Sequence, residues 1–316
     1  MNWQSRVLVT LVGGIPWMAA SGCGAQNTTA ARLAGEIDRA ERMMQQPSSQ
    51  NDGAAWWKLG MLYQDAARFG DAERCYVRAT ALLQLGDPAL RANALDSMGT
   101  MYVEMGENAK AEPLEKQALA LREAGGDSIG EGRSWMHLAM LSLGEQDSSS
   151  AVRYAQMAVE RLEPSKAHGA GAASPEERMT ALIDLALARC AHDGCRGAIE
   201  PLKRAHRLAT ENPDASGFTT GYTEFLLGYA EWKSGHGDQA GRLMKSGIVG
   251  IEGQLGWGHP TYISVMTQYE SYLEQAGEFT EASAVRTKLS RAEAAQHLKH
   301  QVASGTNATI PPSASH

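Results

Sequence analysis

The chain has 316 residues, 43% of them hydrophobic and 21% charged, which is enough apolar content for a core and excludes wholesale disorder. Aromatics make up only 6% and Ala is abundant, a mix that suits close-packed helices better than a β-sandwich. The 29 Lys and Arg against 36 Asp and Glu give a net charge of −7, which argues against the concentrated basic face that nucleic-acid binding needs.

Met1 to Arg6 carries the amino terminus and one basic residue, and Val7 to Ala20 is uncharged. Small residues follow from Ser21 to Ala25, so the segment has the n-, h- and c-regions of a secretory signal. Fourteen residues of helix span about 21 Å, short of the roughly 30 Å hydrocarbon core of a bilayer. Ala20-Ser21-Gly22-Cys23 resembles a bacterial lipobox, although Leu is more common than Ala at the first place. The resemblance implies cleavage before Cys23 and acylation of its thiol. An ordinary cut after Gly22 or Ala25, or a retained anchor, stays open. Loss of residues 1–22 removes Arg6 and takes the side-chain charge to −8.

Thr29 to Gln46 has Leu33, Ile37, Ala40 and Met44 at helical spacing, which predicts a capping helix. Gln45 to Gly53 is a loop. From Trp56 the sequence repeats. Trp56, Leu59, Gly60 and Tyr63 fit W-x2-L-G-x2-Y, and Ala72 and Tyr76 follow at the offsets of A-x3-F. Weaker copies begin at Leu95, Trp135, Leu182, Leu227 and Met266. The first Ala of each second helix recurs at 72, 111, 151, 198, 240 and 282, with spacings of 39, 40, 47, 42 and 42.

These residues resemble the tetratricopeptide repeat (TPR) family, and the long spacing resembles its kinesin-light-chain variety. The resemblance implies an all-α fold, a right-handed α-solenoid of antiparallel helix pairs in about six units. The domains follow: a signal peptide at 1–22, a linker and capping helix at 23–52, the solenoid at 53–297 and a disordered tail at 298–316. Glu163 to Ala173 is the widest internal break, and Ser174-Pro175-Glu176-Glu177 predicts a helix start.

A phosphate loop, HExxH or CxxC pair is not in the sequence, and Gly169-Ala170-Gly171 is an isolated GxG without a strand before it. His137 stands among Met136 and Met140 as a polar groove residue with no visible catalytic partner. Cys75 is expected as a small buried hydrophobe. Cys190 and Cys195 flank a short turn, where a disulfide is the better reading than a metal site completed by His192.

In the TPR family the first helix of each pair lines the groove. Carried onto this chain, the candidate partner-binding residues are Trp57, Met61, Met136, His137, Met140, Tyr222, Phe225, Tyr229 and Trp232. The last four lie on one helical stripe, and their facing the core instead is the competing reading. The Asn ladder of kinesin-light-chain grooves is missing: Asp96-Ser97, Met136-His137 and Ile183-Asp184 stand in those places. An apolar helix or extended peptide is therefore the expected ligand.

The expected function is an exported, non-catalytic protein-binding scaffold at the bacterial cell envelope, lipid-anchored through Cys23. No cofactor, metal, nucleic acid or small-molecule substrate is expected. An enzyme or enzyme subunit would need converging titratable groups in the groove. A sensor or regulatory TPR protein would need an output segment.

Overall fold

The computed structural model describes residues 23–163 and 172–303. The signal segment 1–22, most of the Glu163–Ala173 break and the last thirteen residues lie outside the described residues, as does the side chain of Cys23. Among the described residues all regular structure is helical. The fourteen α-helices are α1 (Cys23–Met44), α2 (Pro47–Gln50), α3 (Gly53–Asp65), α4 (Phe69–Leu82), α5 (Pro88–Glu104), α6 (Asn108–Gly125), α7 (Ser128–Gly144) and α8 (Ser148–Leu162). They continue as α9 (Pro175–His192), α10 (Ile199–Glu211), α11 (Gly217–Lys233), α12 (Gly237–Leu255), α13 (Pro260–Ala276) and α14 (Phe279–Ala303). No described helix is long and apolar enough to cross a membrane. The helix α14 continues through Gln301–Ala303, past the predicted start of the tail.

Many helix starts are set by side-chain caps. Asp52, Asp87, Asp127 and Asp147 each accept hydrogen bonds from backbone N–H groups two or three residues ahead. Ser174 and Glu177 form a capping box, with Pro175 at the first helical position. Within each pair the reversal passes through a residue of positive φ. These are Ala67, Gly106, Gln146, Gly194, Gly235 and Gly277, so the turn recurs with nearly the spacing of the alanines.

The chain divides into two compact units between Leu208 and Ala209, near the end of α10. In the first, α3/α4, α5/α6, α7/α8 and α9/α10 follow one another. Ala72, Ala111, Ala151 and Ala198 are fully buried, because a methyl group is all that fits where the two helices of a pair cross. Leu59, Tyr63, Tyr76, Met98, Tyr102, Leu119 and Leu138 fill the spaces between.

The second unit holds α11 to α14. Here α11 and α12 approach until their backbones nearly touch. A Cβ on Gly247 would stand 2.4 Å from Gly221 O, and one on Gly250 would stand 2.7 Å from Gly217 O. Only glycine permits such an approach. Tyr262, Val265, Tyr269 and Leu273 of α13 and Ala282, Val285 and Leu289 of α14 are buried.

Candidate functional site

The first helices of three successive repeats, α3, α5 and α7, are tied side by side. Trp57 Nε1 donates to Ser97 Oγ at 2.9 Å, and Gln64 Nε2 donates to Glu104 Oε1 at 2.9 Å. His137 Nδ1 lies 3.1 Å from Asp96 Oδ1. These partners are 40, 40 and 41 residues apart, each one residue more than the alanine spacing of 39 or 40 between the same repeats. Met61 and Val103 are exposed, by 42% and 40%, and Trp57 and Met140 are half-buried, so an apolar strip accompanies the polar ties. Met136 does not join it. It is buried.

Beside this strip lies a buried ionic cluster. Glu115, from α6, is 1% exposed, and its Oε2 lies 3.3 Å from His137 Nδ1. Arg122, two turns of α6 further on and 3% exposed, donates to Asp96 Oδ1 at 3.0 Å, Ser134 Oγ at 2.6 Å and Asn93 Oδ1 at 3.2 Å. His137 therefore has two carboxylate partners, contrary to the expectation from sequence that it has none. Titratable groups do converge here, which the linear sequence concealed by placing them on three helices.

The electrostatics follow from burial and charge. For Asp96, burial works to raise the pKa, but His137 and Arg122 outweigh it and hold the carboxyl well below its ordinary range. Burial raises Glu115 to about 7; His137 opposes this and Asp96 reinforces it. Burial works against a charged His137, yet Asp96 and Glu115 together keep its pKa well above the ordinary value. Asp184, on α9 and 2% exposed, is raised to about 7 by burial, with His137 opposing.

Glu115 and Arg122 escaped sequence reasoning. A signal was present for Glu115. It holds the slot four residues after the first Ala of its helix, where the other repeats of the first unit place Tyr76, Ala155 and Leu202. A charge in a packing slot is the anomaly.

Elsewhere in the first unit, Cys190 and Cys195 are joined in a disulfide with Cα atoms 4.0 Å apart. His192 points away from them, its Nδ1 3.2 Å from Ser148 Oγ. Cys75 is buried, and burial pushes its thiol up to about 11.

In the second unit the aromatic stripe divides. Tyr222, Phe225 and Tyr229 are 3%, 0% and 8% exposed, so they pack inside and are not a free partner surface. The cause is the glycine contact: a Cβ on Gly247 would stand 2.6 Å from Phe225 N, so α12 lies directly against this face of α11. Trp232 is half-buried, in edge contact with Tyr229 and Tyr272 at 5.7 Å, with Lys233 Nζ 3.7 Å above its ring.

A family model described as Tetratricopeptide repeat matches residues 52–124, which include the Trp57–Ser97 tie and the Asp96 and Glu115 carboxyls. No curated protein matches the chain. Among solved structures, BtubC (BKLC) from P. vanneervenii is 18% identical with a TM-score of 0.58, covering 71% of this chain and 90% of that one. TPR-like repeats assigned to a Podosopora anserina kinesin light chain are 17% identical with a TM-score of 0.50, covering 66% and 97%. A Rap protein complexed with competence and sporulation factor is 13% identical with a TM-score of 0.53, covering 82% and 80%. The fold is that of TPR helix pairs, of the kind found in kinesin light chain repeats.

Proposed function

We propose that this chain of TPR helix pairs is an exported, non-catalytic scaffold that holds a helix or extended peptide of a partner protein at the bacterial cell envelope. The observation that carries the reading is the face of α3, α5 and α7. Cross-repeat bonds fix its polar side chains, while Met61 and Val103 stay exposed between them. A rigid polar frame around adaptable apolar side chains favours peptide docking, since little ordering entropy remains to be lost. The likeness in fold to a Rap protein complexed with a factor is consistent with such use.

Export is supported by the uncharged Val7–Ala20 run behind Arg6 and by the Cys190–Cys195 disulfide, which persists in oxidising compartments. Cys23 is the residue that carries the lipid. Fractionation with intact-mass measurement tests this part. A mature chain beginning at Cys23 with added acyl mass is expected, and Cys23→Ser is expected to leave the membrane fraction. A cytosolic, unprocessed chain contradicts export. Partner binding is tested by photo-crosslinking from the α3/α5/α7 face.

A further inference from the structure

Glu115 occupies a slot that is apolar in the other repeats of its unit, it is 1% exposed, and its Oε2 makes no hydrogen bond. A buried carboxylate without a donor costs several kcal/mol unless a cation compensates it. His137 Nδ1 stands 3.1 Å from Asp96 Oδ1 and 3.3 Å from Glu115 Oε2, and it has one N–H at most for the two carboxylates. What the three groups have in common is a point between them. Their ligand atoms lie within 4.8 Å of one another, and among the described residues no other such group of His, Cys, Asp or Glu is found.

The spacing suits a small metal ion. Asp96 Oδ1 and Glu115 Oε2 are 3.1 and 3.3 Å from His137 Nδ1. Ligands about 2.0–2.1 Å from a tetrahedral ion stand roughly 3.3 Å apart. We infer that Asp96, Glu115 and His137 form a binding site for one divalent transition-metal ion of the zinc class, which displaces the Nδ1 proton of His137 to solvent as it binds. One imidazole nitrogen with two carboxylate oxygens is a zinc-type donor set, whereas calcium and magnesium take more ligands, all of them oxygen.

The surroundings fit this use. The ligands come from three packed helices, α5, α6 and α7, so the site is preformed. Gly99 leaves the cleft into which Glu115 reaches. Arg122 Nη1 donates to Asp96 Oδ1 itself, and Ser134 and Asn93 accept from Arg122 in turn, the arrangement by which outer partners orient a ligand. The Arg122 charge works against a cation, and the two carboxylates balance it. His137 is 37% exposed, so a fourth position opens to solvent and takes water. The site does not depend on partner binding, and either can fail alone.

The test uses the untagged full chain, stripped with EDTA and freed of chelator. Zn2+ binding is followed by calorimetry and Co2+ binding by visible absorption. Wild type is expected to bind one ion that Glu115→Gln and His137→Ala lose, or bind at least tenfold to a hundredfold more weakly, with tetrahedral Co2+ bands only in wild type. His192→Gln serves as a control that keeps the site. Circular dichroism reports folding of each variant. Wild type without tetrahedral Co2+ bands overturns the inference, whatever the variants do. So does equal binding by wild type and a folded Glu115→Gln chain.

Discussion

Gly99 and Glu115 face each other across the second helix pair: a Cβ on residue 99 would stand 2.6 Å from Glu115 Oε1. The same relationship joins Gly60 to Tyr76 in the first pair, also at 2.6 Å. The small residue of α5 therefore makes room for a carboxylate where that of α3 makes room for a phenol ring. Gly99→Val is expected to destabilise the protein by about 1–3 kcal/mol, through overpacking against Glu115. Urea unfolding followed by circular dichroism measures it, and an unchanged midpoint contradicts the register.

Asp184 carries a pH dependence. Burial raises its carboxyl from 3.8 to about 7, against the pull of His137. The folded chain thus keeps a proton that the unfolded chain releases near pH 3.8. The stabilisation from this group is complete below that pH and drains away as pH rises to about 7. Asp184→Asn removes the loss. The variant is expected to exceed wild type in stability at about pH 8, by an amount on the order of 1–4 kcal/mol, with the difference shrinking towards pH 4. Urea midpoints across this range check it; a difference that does not change with pH contradicts the placement.

Ala67 and Gln146 adopt φ of 55° and 66° at the turn where the second, fifth and sixth pairs use Gly106, Gly235 and Gly277. A side chain in that conformation is strained. Ala67→Gly and Gln146→Gly are each expected to stabilise the protein by roughly 0.5–1 kcal/mol, because relieved strain outweighs the added freedom of the unfolded chain. Thermal unfolding checks both, and a fall in melting temperature speaks against the positive φ.

The disulfide between Cys190 and Cys195 closes a small loop, so its entropic effect is modest. Cys195→Ser is expected to cost on the order of 2 kcal/mol. Peptide mapping of the oxidised chain accompanies it; two readily alkylated thiols at 190 and 195 refute the bond.

Much of the fold is legible in the sequence, because helix packing imposes local rules. Trp56, Leu59, Gly60 and Tyr63 announce one helix, and the alanines at 72, 111 and 151 must be small wherever two helices cross. Six helix pairs follow from that period. The ionic cluster was not legible, since Asp96, Glu115 and His137 lie on three helices, 19 and 22 residues apart, and only packing brings them together. The aromatic stripe of α11 misled for the opposite reason. Helical spacing puts Tyr222, Phe225, Tyr229 and Trp232 on one face, but it does not reveal which face α12 covers. Glycines at 221, 247 and 250 decide that, by letting the backbones meet.

The proposed function places a partner protein on the face of α3, α5 and α7. The direct measurement is site-specific photo-crosslinking in the native host, with the probe in turn at Met61, Val103 and Val77. Met61 and Val103 belong to that face, whereas Val77, 51% exposed, lies on the second helix of its pair. One discrete adduct shared by Met61 and Val103 and absent from Val77 is expected. Adducts of equal yield from all three positions, or from Val77 alone, would contradict it.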